Sequence, residues 1–192
     1  MGEFNFKYVG DSVKKIRCNY SLEGKVNDKT CWEGYILTTN IDGVLKIEGF
    51  ERDKMDSPEA DGKPHTRYIL GEKAISMAKG TLRFTIYPSR IRPILYDLKY
   101  NDESKCFNGT WRFAAKTEKH NRPSSCSGEA IIRIEETDYS IADAKEILKK
   151  IGPAYKKEYS EEMENINTLW QRVEEYESDE HAKCITLNIN NK

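Results

Sequence analysis

Apolar residues recur at every second position through about eight separate stretches of this chain. That repeat points to antiparallel β structure, because side chains of a strand alternate between its two faces. The clearest case is Cys31 to Asp53, CWEGYILTTNIDGVLKIEGFERD. Asp42-Gly43 is a hairpin signal, since both central positions of a type I′ turn need positive φ. A loop of two residues or of four (Asn40 to Gly43) leaves the parity unchanged. Trp32, Gly34, Ile36, Thr38, Leu45, Ile47 and Gly49 then share one face, expected to be the core face. The other face carries Glu33, Tyr35, Leu37, Thr39, Val44, Lys46, Glu48 and Phe50. Glycine inside a strand marks a bend or a close backbone approach, which a curled sheet requires.

The same period places Ile16, Cys18, Tyr20 and Leu22 inward on KIRCNYSL, and Leu82, Phe84 and Ile86 inward on TLRFTIY. Ile94, Tyr96, Leu98 and Tyr100 share a side of the next strand, as do Phe107, Gly109, Trp111 and Phe113 of the one after. CSGEAIIRIE puts Cys126, Gly128, Ala130, Ile132 and Ile134 inward. HTRYILG (65–71) is a shorter strand of ambiguous facing, with Tyr68 taken as inward, and EKAISMAK (72–79) suits a turn or two of helix. About eight strands with short connections predict a sandwich or, better, an up-and-down barrel.

After Thr137 the period changes. Ser140 and Asp143 have the spacing of a capping box, and Ile141, Ala144, Ile147, Leu148 and Ile151 follow helical steps. Gly152-Pro153 reads as the end of that helix and the start of a second reaching about Glu177. CITLNIN (184–190) alternates again and predicts a short final strand covering a sheet edge. The fold class is thus mainly β: an antiparallel barrel over 1–137, then a helical appendage with a closing strand over 138–192. Tyr155, Tyr159, Met163, Ile166, Leu169, Trp170, Val173 and Tyr176 form a stripe that must be buried, against the barrel or against an identical helix in a homodimer.

Composition excludes several classes. The net charge is −1 with 33% charged residues, so there is no global attraction to long nucleic acid. No apolar run approaches the roughly 18 residues of a membrane span. Five scattered cysteines suit reduced thiols, and a cytoplasmic protein is expected. Three histidines with no nucleophile motif and no phosphate loop argue against an enzyme and against a cofactor. Asp179, Glu180, His181 and Cys184 cluster in ESDEHAKC, but without paired Cys-x-x-Cys units no metal site is assigned.

Binding is the remaining chemistry. Tyr20, Trp32, Tyr68, Tyr96, Tyr100 and Trp111 form an inward aromatic set that either fills the core or lines a cavity. Eight strands enclose about the smallest interior that admits a small ligand. Buried tyrosine hydroxyls need partners, which water or a ligand would supply. Arg90, Arg92 and Arg122 belong to an arginine cluster near the same strands, with Arg83 and Arg112; it is either surface charge or a rim that grips phosphate or carboxylate.

Gly109-Thr110-Trp111, in a late strand, resembles the Gly-x-Trp motif of the calycin barrels, of which lipocalins are the familiar case. FNGTWRF followed by CSGEA is similar to the late strands of the cyclic-oligonucleotide-sensing barrels of bacterial anti-phage effectors. Either resemblance covers about Lys14 to Glu136 and implies an eight-stranded barrel; the second implies nucleotide sensing. The expected function is a non-enzymatic module binding a small organic or nucleotide-like anion through those six aromatic residues and Arg90, Arg92 and Arg122. The alternative is an interaction or dimerisation module with a solid barrel.

Overall fold

The computed structural model describes residues 11–21, 32–41, 44–52, 66–76, 80–88, 91–121 and 127–190. Eight antiparallel strands close into a barrel in sequential order: β1 Ser12–Tyr20, β2 Trp32–Ile41, β3 Val44–Arg52, β4 Thr66–Ser76, β5 Thr81–Tyr87, β6 Ile94–Asn101, β7 Cys106–Phe113 and β8 Ser127–Glu136. Pairing of β8 with β1, from Lys14 opposite Glu136 to Tyr20 opposite Ala130, completes the ring. Asp42 and Gly43 lie outside the described residues, but Ile41 pairs with Val44, which selects the two-residue loop. Gly34 and Gly49 permit the curl at this hairpin. A Cβ on Gly34 would stand 2.6 Å from the Phe50 carbonyl oxygen, and one on Gly49 would collide with that of Tyr35.

The interior is packed by the residues that alternation assigns to it, joined by Ile69 of the ambiguous strand. Ile16, Ile36, Ile47, Ile69, Leu82, Ile86, Leu98 and Ile132 are fully or almost fully buried there with Phe84, Tyr96, Trp32 and Trp111. Leu22 and Cys126 lie outside the described residues.

Two helices follow, α1 Ile141–Glu158 and α2 Ser160–Asn190. Ser140 caps α1 as its spacing predicts, its hydroxyl accepting from the Asp143 N–H. The helices lie across the outer barrel wall and create a second core there. Val13, Leu37, Phe50, Tyr68, Leu70, Tyr87 and Leu95 from six strands meet Ala144, Leu148, Tyr159 and Ile166. Aromatic rings alternate between wall and helix side: Tyr35 stacks on Tyr139 at 4.3 Å, Tyr68 on Tyr155 at 5.6 Å, and Tyr87 packs on Tyr159 at 5.3 Å. The apolar stripe therefore docks within the chain, and only Tyr176, 67% exposed, stands clear among its described members.

Four expectations need correction. Tyr68 faces outward, beneath α1: Tyr68 and Leu70 on one face and Ile69 and Gly71 on the other are all buried, so the period alone holds no preference. Residues 72–76 continue β4 rather than forming a helix, after an irregularity in register against β5 between Leu70 and Ile75. The helix does not stop at Gly152-Pro153. Gly152 is buried where α1 crosses Glu48 and Tyr68, and the break falls at Tyr159. Finally, 184–190 is helical, part of α2. A closed barrel has no open edge for a ninth strand to cover.

Candidate functional site

The irregularity in β4 and the path of α2 together leave a groove on the outer wall. Gly71 to Ala74 depart from the regular ladder with β5, so the wall is uneven there. Tyr159 pins the start of α2, being fully buried, its hydroxyl donating to the Ile91 carbonyl at 2.9 Å and lying against that of Pro88. Farther along, Arg83 on β5 anchors the helix through Glu177 at 2.8 Å, while also pairing with Asp97 at 3.0 Å and lying 5.4 Å over the Trp170 ring. Burial works against the charge of Arg83, but the two carboxylates outweigh it and raise its pKa.

Between these fixed points lies a groove of about 650 Å³. Leu70, Thr85 and Tyr87 line it from the barrel, and Met163, Ile166 and Trp170 from α2. Lys73, Arg83 and Lys156 contribute cations; Glu72 and Glu174 are the lining carboxylates. Lys73 faces Glu174 at 3.7 Å and Lys156 faces Glu48 at 3.9 Å. Both pairs are longer than a hydrogen bond and substantially exposed, so each is weakly held. Glu48 accepts a tighter bond from the Tyr68 hydroxyl, at 2.5 Å. Burial, then the bond and charge of Glu48, push the Tyr68 pKa up, so the phenol stays protonated. Tyr87 is raised as well, mainly by burial. Among the described residues no three His, Cys, Asp or Glu side chains converge as metal ligands, and the side chains of Asp179, Glu180, His181 and Cys184 lie outside them.

The sequence-predicted residues occupy other places. Trp32 and Tyr96 meet in the interior, the indole N–H donating to the phenol oxygen at 3.1 Å, with Phe84 stacked on Tyr96 at 4.8 Å. Thus one buried phenol finds its partner within the core, and burial raises its pKa well above the ordinary value. Trp111 donates to the Ser21 carbonyl at 3.0 Å and meets the edge of Tyr20. Tyr100 packs on Phe107, partly buried. Arg92 is buried, 5.4 Å over the Phe113 ring, and donates to the Ala114 carbonyl at 3.2 Å. Tyr68 lies outside the barrel, and Arg90 and Arg122 lie outside the described residues. None of the seven described residues lines the groove.

The groove had a signal in the sequence. Tyr87 shares the outer face of β5 with Arg83 and Thr85, and an aromatic at an outward position asks for a cover. Parity cannot show where a cover leaves a gap, since that depends on the irregular stretch of β4. No family model, no curated protein and no solved structure matches the chain.

Proposed function

We propose that this chain is a non-enzymatic binding module that takes a small organic anion in the groove between the outer barrel wall and α2. The groove itself carries the reading: about 650 Å³ lies within the roughly 300–1,000 Å³ range of small-molecule sites. Its lining supports the ligand class. Trp170, Tyr87 and Met163 offer a surface for a flat apolar body, and Lys73 and Lys156 hold their carboxylates loosely enough for a ligand carboxylate or phosphate to compete. Nucleotides fit this description, in line with the resemblance to nucleotide-sensing barrels, but other aryl anions fit it equally.

A thermal-shift screen of nucleoside monophosphates, cyclic dinucleotides, aryl carboxylates and fatty acids tests the proposal. A ligand present at about 100 times its Kd adds about 2.7 kcal/mol to stability and raises Tm by several degrees. The shift should vanish in Trp170→Ala and in the double variant Lys73→Glu, Lys156→Glu. A hit that survives both and is lost on interior substitution would move the site into the barrel. No hit at all favours a second reading, an interaction module, which the exposed Tyr176 on α2 supports.

A further inference from the structure

A buried polar cluster ties the segment after β7 to both helices. Thr117 and His120 close a turn, the Thr117 N–H donating to the His120 carbonyl at 3.1 Å and the His120 N–H to the Thr117 hydroxyl at 3.0 Å. Both side chains converge on Oε1 of Glu162: the threonine hydroxyl at 2.6 Å and His120 Nδ1 at 2.6 Å. His120 Nε2 faces Oε1 of Glu158 at 3.3 Å. The imidazole, 2% exposed, stacks on Tyr159 at 4.2 Å, and Tyr87 packs on the same phenol ring. Lys119 donates to the Glu158 carbonyl at 3.1 Å.

A neutral imidazole has one N–H, yet here both ring nitrogens face carboxylate oxygens. Both contacts are hydrogen bonds only while the cluster holds a second proton, on the ring or on the carboxyl that faces its bare nitrogen. Removing that proton turns a nitrogen lone pair toward a carboxylate, and attraction becomes repulsion; the Glu162 side chain is buried, that of Glu158 35% exposed. We propose that His120, Glu158 and Glu162 form a proton-dependent latch that fastens the α1–α2 corner to the barrel and opens as pH rises. Among the described residues the groups around the imidazole are Glu158 from α1, Glu162 from α2, Tyr159 at the corner and Thr117 from its own segment, with Lys119 on the Glu158 carbonyl. Tyr87 of β5 stands behind Tyr159. Burial acts to raise the Glu162 pKa, but the bonds from Thr117 and His120 outweigh it and hold the carboxyl below its ordinary value. Acid therefore releases the Glu162 arm of the latch only below the usual carboxylate range.

Ser160 and Met163, on either side of Glu162 in the sequence, line the groove, so the latch also sets its width; this last step rests on the binding reading above. Hydrogen exchange without any ligand tests the latch by itself. Amides of 158–166 and of the β5 and β6 strands are compared between about pH 6 and about pH 9, corrected for intrinsic rate. The opening equilibrium of the corner should rise about tenfold while the strands stay unchanged, the size expected for losing a charge-assisted bond. In His120→Gln the corner should be open to the same extent throughout. If that variant fails to fold, Glu158→Gln serves, because its amide can accept from Nε2–H or donate to the bare nitrogen and so flattens the pH response. Unchanged wild-type protection, or a variant that keeps the full pH response, overturns the latch. A working latch in a protein that binds no anion would leave the latch standing and remove only the binding reading.

Discussion

Replacing Tyr159 with phenylalanine isolates the hydrogen bonding that fixes the corner between the two helices. The ring is fully buried, stacked on His120 and packed on Tyr87, and phenylalanine keeps all of that shape. Only the hydroxyl is lost, and it serves the carbonyls of Ile91 and Pro88 in the link between β5 and β6. A buried acceptor deprived of its donor costs about 1–3 kcal/mol. A chain of 192 residues loses about 2–4 °C of Tm per kcal/mol, so Tyr159→Phe should melt about 2–12 °C below wild type. Urea unfolding should show a lower midpoint with the slope unchanged. Tyr176→Phe is the control: its phenol is 67% exposed and the change should stay within about 0.5 kcal/mol. If Tyr159→Phe is as stable as the control, the corner is not held to the β5–β6 link as described.

Gly152→Ala distinguishes a helix interior from a helix end. In the interior alanine gains about 0.5–1 kcal/mol over glycine, and its Cβ would meet the movable Glu48 carboxylate at 3.2 Å, so the urea midpoint should hold or rise; a marked fall would restore the reading of Gly152 as a stop. A chain ending near Thr137 exposes Leu37, Phe50, Tyr68 and Tyr87 and should be insoluble, whereas a soluble monomer would show that the helices are an optional appendage. Glu162, held below its ordinary pKa, adds stability that is complete above the usual carboxylate range and is lost as pH falls through its lowered value. Wild type should therefore lose more stability than Glu162→Gln between about pH 5 and about pH 3, read by urea melts; equal losses would show that the carboxylate is not stabilised.

The barrel was legible because burial on one face leaves a period-two record, as on Trp32, Ile36, Leu45 and Ile47. Where both faces are buried the record is lost, which is why Tyr68 was assigned to the wrong side. Outward Tyr35, Leu37 and Phe50 ask for a cover, since apolar residues on a second face need one, and the helical segment supplies it. The glycine at 152 was misread because glycine serves two purposes, ending helices and letting them approach closely, and only the crossing with Glu48 and Tyr68 tells them apart. The final segment alternates like a strand, but helix or strand at 184–190 is settled by whether an open edge exists, and barrel closure is a property of the whole ring. The groove and the His120 cluster both arise from residues brought together over long sequence separations. Glu162 lies 42 positions from His120, and neither position shows a local pattern.

The three tryptophans offer a direct test of where a ligand binds, because they divide between the two candidate places. Trp32 and Trp111 are interior, their indole N–H groups bonded to Tyr96 and to the Ser21 carbonyl, while Trp170 lines the groove. Each indole N–H gives its own resonance in a nitrogen–proton correlation spectrum, followed here while the strongest anionic hit of the thermal-shift screen is titrated in. Binding in the groove predicts a saturable shift of the Trp170 signal with those of Trp32 and Trp111 unmoved. A shift of Trp32 or Trp111 with Trp170 unmoved would place the ligand inside the barrel and contradict the account.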